Sequence, residues 1–291
     1  MPPDTAALPL DPVPSPLKPN RTFGLDDAAF ARIAQLVREQ AGIKLSKSKS
    51  NLIVSRLGRR MKALSMTDFQ AYLDFVSTET GRNELRKMLS LLTTNVTRFF
   101  REPHHFDALR ETVLPPLISR AKAGAPVRIW SAGCSNGAEP LTIGMEVLRL
   151  CPEAPGLDIR ILATDLDPEC LQIASHAVYE TSEVTRMPDD LAARFFEPGG
   201  HGMRAVPVLR NLITYAELNL VGHWPMERAF DIIFCRNVVI YFDKATQGEL
   251  WPRFADALLP GGMLFIGHSE RLSGAGETRF EPAGITQYRR I

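Results

Sequence analysis

The stretch Arg128–Thr142, RIWSAGCSNGAEPLT, decides the fold. Val127, Ile129 and Trp130 form a short apolar run of the kind a buried strand needs. Gly133 and Gly137 bracket a tight turn, and from Glu139 onward Leu141, Ile143, Met145, Val147, Leu148 and Leu150 follow a helical pattern. Strand, glycine turn and helix together make the nucleotide-type ligand site of α/β folds, because glycine admits a close backbone approach and the helix N-terminus offers unpaired N–H groups. A second strand, Ile159–Thr164, ends in Asp165, which is placed to accept hydrogen bonds from ribose hydroxyls. The spacing is G-x-x-x-G, with Ser135 where a dinucleotide site needs its second glycine, and G-x-x-x-x-G-K-[ST] does not occur. NAD and FAD are disfavoured, a P-loop is excluded on pattern, and S-adenosylmethionine, with ribose and adenine but no phosphate, is the leading candidate.

Length and composition set the frame. The 291 residues suffice for one large or two ordinary domains, and 45% hydrophobic with 23% charged residues is ordinary globular composition. A net charge of +1 provides no global field toward nucleic acid. Cys134, Cys151, Cys170 and Cys235 show no C-x-x-C spacing, which reads as reduced thiols in a cytoplasmic protein. No apolar run reaches membrane-spanning length and no signal-peptide pattern opens the chain.

Residues 1–22 hold seven of the 22 prolines and read as an extended, disordered tail. From 23 to 92 the pattern is helical and free of proline. Asp26 caps a first helix that Gly42 stops; a second runs near Asn51–Leu64; Thr67 or Asp68 opens a third; Glu84–Leu92 makes a fourth. Between 44 and 62 lie seven basic side chains and no acidic one. Arg56, Arg59 and Arg60, at i, i+3 and i+4, sit opposite the stripe Val54, Leu57, Met61 and Leu64, and read as a docking face for an acidic partner. Aromatic interleaving is missing, so nucleic acid is not the expected partner.

Residues 93–291 make the α/β domain. His104 and His105 are adjacent, so their side chains diverge by about 100° on a helix, and with no third ligand spaced nearby no metal is expected. Asp167-Pro168 opens a helix. After the turn Glu197–Gly202, Arg204–Leu209 and Leu212–Glu217 read as an antiparallel hairpin, a β-subdomain inserted at about 198–217. The strand Phe230–Cys235 delivers Arg236, Asn237 and Tyr241 to its carboxyl end. A helix through Leu250, Phe254 and Leu258 stops at Pro260-Gly-Gly262, Met263–Ile266 is another strand, and Thr286–Arg289 the last.

With these pieces placed, residues 23–291 resemble the chemotaxis-receptor glutamate methyltransferases, the CheR family. The resemblance rests on TTNVTRFFRE (93–102), WSAGCSNGAEP (130–140), ATDLD (163–167), FDIIFCRNVVIYFD (230–243) and GGMLFIGHSE (261–270). It implies an all-α N-terminal domain before a Rossmann-like S-adenosylmethionine domain with an inserted antiparallel β-subdomain. It implies a cofactor site lined by Asn95, Thr97, Arg101, Glu139, Asp165, Asn219, Leu220, Arg236 and Asn237, with Arg101 and Tyr241 handling the substrate carboxylate. The implied reaction esterifies glutamates on the cytoplasmic coiled coil of a methyl-accepting receptor, releasing S-adenosyl-L-homocysteine; the chain is expected to act as a monomer without membrane insertion. Ala138 stands where the family usually shows the first glutamate of G-E-E-P, and Leu141-Thr142 replaces Tyr-Ser. The stretch between Phe196 and Asn219 is short beside members whose β-subdomain grips a receptor pentapeptide, which leaves that grip open here. The Asn/Asp-Pro-Pro-aromatic motif of base amino-methyltransferases is absent, against a nucleic-acid or small-molecule substrate, and the presence of Arg101 and Tyr241 speaks against a silent cofactor-binding module.

Overall fold

The computed structural model of the chain describes residues 24–93 and 95–291, so the expected proline-rich tail lies outside the described residues. Strand β1, Val127–Ala132, shows how the sequence builds two cores on one sheet. Its side chains alternate: Val127 and Ile129 enter one apolar cluster, Trp130 and Ala132 the other. β2 (Ile159–Asp165) lies parallel to β1, pairing Ile129 with Ile161 and Ala132 with Thr164.

Seven further strands and one two-residue strand follow: β3 (Val178–Tyr179), β4 (Phe196–Gly199), β5 (Gly202–Ala205), β6 (Ile213–Glu217), β7 (Phe230–Cys235), β8 (Leu258–Ile266), β9 (Phe280–Gly284) and β10 (Gln287–Arg290). The main sheet has the order β6-β2-β1-β7-β8-β10-β9, parallel from β6 to β8 and closed by antiparallel β10 and β9. Every residue of β7 is buried, as a central parallel strand requires.

The inserted hairpin differs from the sequence expectation. Its arms are β4 and β5, which flank the Gly200 turn, and β3 completes a separate sheet of order β3-β5-β4. Residues 207–210 form a short helical turn, because Pro207 has no N–H to give a ladder and its fixed φ suits a first helical position. Residues 213–217 are instead β6, an edge strand of the main sheet parallel to β2, with Ile161 opposite Ile213. The helix expected to end at Pro260 ends at Ala257, and Pro260-Gly-Gly262 lies within β8 beside a register shift against β7. β9 was not anticipated; only Phe280 of its five residues is buried, and Pro282 and Gly284 argue against a strand on propensity.

The N-terminal module has helices α1 (Asp27–Ala41), α2 (Ser50–Ala63), α3 (Phe69–Val76) and α4 (Arg82–Leu92). Asp26 accepts the Ala29 N–H at 2.7 Å and Asp68 that of Ala71 at 2.9 Å, satisfying two first-turn donors. The apolar faces of these helices share one core with Trp130, Ile233 and Leu264 on one face of the sheet and with Leu250, Trp251 and Phe254 of the helix Lys244–Ala257, which packs on β8. The other face is covered by α5 (Pro103–Ala108), α6 (Leu114–Lys122) and α7 (Ala138–Leu150). Gly42 ends α1 in left-handed backbone (φ 70°), and a Cβ there would meet the Val221 side chain at 2.6 Å. Just beyond, Ile43 bridges Phe242, and the Lys44 N–H donates to the Tyr241 carbonyl at 2.8 Å. Among the described residues no helix is long and apolar enough to cross a membrane.

Candidate active site

A cavity of about 790 Å³ opens at the carboxyl ends of β1, β2 and β7, the place where open α/β sheets hold their ligands. Asn95, Thr97, Arg101, Glu139, Asp165, Asn219, Leu220, Arg236, Asn237 and Tyr241 all line it. Its floor is the turn from β1 into α7. Gly133 has φ 85° there, and a Cβ on it would lie 2.4 Å from a Val238 methyl, so only glycine lets the two loops approach. Asp165 ties the turn to β2 by accepting the N–H of Ser135 at 2.7 Å and of Asp167 at 3.0 Å. Burial pushes its carboxyl above the ordinary aspartate value, and these two N–H groups pull it back.

A cluster of charge lies next to this turn. Arg236 is buried, with a side chain only 2% exposed; its Nη2 donates to the Arg101 carbonyl. Its Nη1 faces Glu139 at 3.5 Å and its Nε faces Glu102 at 3.7 Å. Burial lowers the Arg236 pKa, while Glu139 and Glu102 oppose that shift. Glu139, in the first turn of α7, accepts from the Ser131 hydroxyl at 2.7 Å; burial raises its pKa against the pull of Arg236. The Arg101 guanidinium donates to the Val96 carbonyl at 3.1 Å.

Tyr241 is held from two sides. The Lys44 N–H of the helical module holds its carbonyl while Ile43 bridges the next residue, Phe242, and the Lys49 ammonium lies 5.4 Å from its ring centroid. On the other side the Glu270 carboxylate, 3% exposed, collects the N–H groups of Asn237, Val238, Val239 and Ile240 at 2.8 to 3.3 Å, and that of Gly267 at 2.5 Å. One acid thus shapes the whole loop from β7 to Tyr241.

The structure qualifies several sequence expectations. The Asn95 amide is committed to Asp167 at 2.7 Å and to the Cys170 sulfur at 3.0 Å. Asn219 donates to the Gln40 carbonyl at 2.7 Å and accepts the Val221 N–H at 3.1 Å, so its side chain joins the two domains. The docking face is not three free arginines. Arg60 makes a two-pronged pair with Glu84, at 2.9 and 2.6 Å, and Arg56 caps α4 through the carbonyls of Leu91 at 2.8 Å and Thr93 at 2.6 Å; only Arg59 of the three is exposed. Helix counting places them opposite the apolar stripe, but α4 covers part of that side. A third potential ligand also accompanies the two histidines. Glu102, His104 and His105 bring ligand atoms within 4.8 Å of one another, because the turn at Glu102 folds its side chain back over α5. Glu102, Glu270 and His268 belong to sequence blocks already singled out, yet their roles as hubs depend on contacts that no local pattern encodes.

The residues present suit S-adenosylmethionine. Asp165 stands at the end of β2 for ribose hydroxyls, Gly133 lets the Val238 loop close the cavity floor, and the buried Nε and Nη1 of Arg236 make no hydrogen bond beyond their looser ion pairs with Glu102 and Glu139, which leaves donors for a carboxylate-bearing ligand. Residues 28–93 match the family described as CheR methyltransferase, all-alpha domain, and residues 95–289 match CheR methyltransferase, SAM binding domain. The chain is 46% identical over 258 residues to the "Probable chemotaxis protein methyltransferase" of Rhizobium etli, covering 87% of this chain and 96% of the relative. It is 37% identical over 289 residues to the "Chemotaxis protein methyltransferase" of Escherichia coli, covering 98% of each, and 38% identical over 274 residues to that of Salmonella typhimurium, covering 92% of each. The two matched domains, side by side and spanning nearly all the described residues, place this chain in the CheR methyltransferases, as an enzyme that uses S-adenosylmethionine.

Proposed function

We propose that the enzyme transfers the methyl group of S-adenosylmethionine to glutamate carboxylates on the cytoplasmic helices of chemotaxis receptors, giving methyl esters. The observation that carries this reading is that Arg101 and Tyr241 share a cavity with the cofactor-type residues Glu139 and Asp165. The bound cofactor supplies an already activated methyl group. A glutamate of ordinary pKa, about 4.3, is already a nucleophile at neutral pH, so the protein needs no strong base. Its work is alignment and exclusion of water, and good alignment of two reactants contributes roughly 7–11 kcal/mol. Arg101 holds the carboxylate and Tyr241 directs one of its oxygens. Too tight an arginine grip would stabilise the ground state and slow attack.

The acidic receptor helix meets a basic rim. Lys44, Arg59 and Lys62 are exposed on the helical module, and Lys49 reaches the cavity itself. Such charges raise encounter rate and set orientation, both sensitive to salt. Incubation with labelled S-adenosylmethionine and receptor cytoplasmic fragments tests the reading. Label released by alkali as methanol supports an ester; label that resists alkali, or no transfer to any receptor, refutes it.

A further inference from the structure

Glu102 and Phe100 flank Arg101, and both lie in left-handed backbone, at φ 58° and 53°. A non-glycine residue adopts such backbone at a cost and persists there only where its surroundings over-determine it. Here the determining contacts converge on the Glu102 carboxylate, 11% exposed. One oxygen accepts from the His268 N–H at 3.3 Å and the Asn237 amide at 3.4 Å, and lies 3.1 Å from His268 Nδ1. The other faces Arg236 Nε at 3.7 Å and His105 Nδ1 at 3.5 Å.

We infer that Glu102 is the positioning residue of this active site: it clamps the loop bearing Arg101 to the carboxyl ends of β7 and β8 and shares the Arg236 guanidinium with Glu139. The inference rests on the reading of Arg101 as the group that holds the substrate carboxylate. Its logic is a closed circuit. Glu102 draws Arg236 toward the loop, Arg236 donates back to the Arg101 carbonyl, and Asn237 and His268 fasten the same carboxylate to two strand ends. Arg101 is therefore aimed by its sequence neighbour and not by a contact of its own guanidinium with the sheet.

A metal centre is the competing use of the same atoms, since Glu102 Oε2, His104 Nε2 and His105 Nδ1 are buried and lack hydrogen-bond partners. Charge decides between the two. A buried guanidinium already stands 3.7 Å from that carboxylate oxygen, with Arg101 adjacent in the chain, and a divalent cation would have to displace or tolerate both.

The test uses the full chain with Glu102→Gln, which keeps shape and removes charge, and Glu102→Asp, which keeps charge on a shorter arm. Hydrogen exchange of the segment 98–102 in the S-adenosylhomocysteine complex, receptor methylation kinetics and cofactor affinity are read together. For Glu102→Gln the expected result is exchange about tenfold faster in that segment alone, and kcat lowered at least tenfold. Affinity for S-adenosylhomocysteine should change less than threefold, with partial recovery of kcat in Glu102→Asp. Unchanged exchange in the segment overturns the inference even where no receptor is methylated, so its failure is separate from failure of the proposed reaction. Exchange raised throughout the domain overturns it in favour of a general structural role. Stoichiometric zinc uptake by the parent, lost in both Glu102→Gln and His104→Ala, overturns it in favour of a metal site.

Discussion

Arg60→Ala separates a structural arginine from a docking one, and the structure supplies its magnitude. The substitution removes three N–H to oxygen contacts with Glu84, at 2.9, 3.1 and 2.6 Å. Glu84, 6% exposed, then keeps only the Tyr72 hydroxyl at 3.0 Å from this network. Breaking a buried pair by deleting one partner costs about 3–5 kcal/mol, chiefly because the other charge stays buried. The Arg60 side chain is 29% exposed, so water can reach part of the vacated volume. That lowers the expectation to about 2–4 kcal/mol. Arg59→Ala, one position away on an exposed face, should stay within about 0.5 kcal/mol. Urea unfolding of the full chain, followed by circular dichroism, reads both as midpoint shifts at constant slope. Receptor methylation at several salt concentrations then assigns docking: Arg59→Ala should raise the apparent KM and flatten its salt dependence while the fold is untouched. If Arg60→Ala unfolds at the same urea concentration as Arg59→Ala, the Glu84 pair contributes nothing and the argument fails.

Three other outcomes are expected. Tyr241→Phe should retain affinity for S-adenosylhomocysteine while turnover falls, because the ring stays beside Lys49 and the Lys44 N–H keeps the Tyr241 carbonyl; equal turnover in variant and parent would remove Tyr241 from the chemistry. Asp165→Ala should weaken S-adenosylhomocysteine binding by about 1.5–3 kcal/mol, and also loosen the Ser135 turn, whose N–H it accepts; calorimetry showing parental affinity would rule it out. Burial, then the charge of Arg236, pushes buried His105 down to about 3, so the folded chain refuses a proton that the unfolded chain takes near 6.5. Stability should therefore fall as pH drops from about 6.5 toward 3, by at most about 1.4 kcal/mol per unit, and the His105→Gln chain should show a shallower decline in acid melting curves.

Much of the fold was legible because its signals are local. The β1 turn into α7, the caps at Asp26 and Asp167, and the glycine stop at Gly42 each depend on residues within a few positions. The misplaced hairpin shows the limit. Residues 213–217 are apolar and polar in a mixture that suits an antiparallel arm, yet they pair with β2, some fifty positions earlier, because Ile213 completes the edge of a parallel sheet. Helix counting failed at Arg56 and Arg60 for a similar reason, since periodicity tells which way a side chain leaves its own helix and not what a later helix brings over it.

The site itself was legible in its members and not in its geometry. Among the described residues, seven without a glycine's freedom adopt left-handed backbone, and four of them, Phe100, Glu102, Ser135 and Asn237, lie within or beside the cavity-lining loops. Propensity reads such positions as ordinary, because the cost of the conformation is repaid only by tertiary partners: Asp165 for Ser135, Glu270 for Asn237, and the His268 and Arg236 contacts for Glu102. Three acids besides the pair proposed to handle the substrate thus hold strained backbone in place, each facing N–H or guanidinium groups. A site proposed to act by aligning two ionic reactants needs rigid loops above all, and these carboxylates supply that rigidity from the end of β2, the loop after β8 and the turn before α5. Substitution at any of them should therefore disturb alignment before it disturbs overall folding, the reverse of what Arg60 predicts.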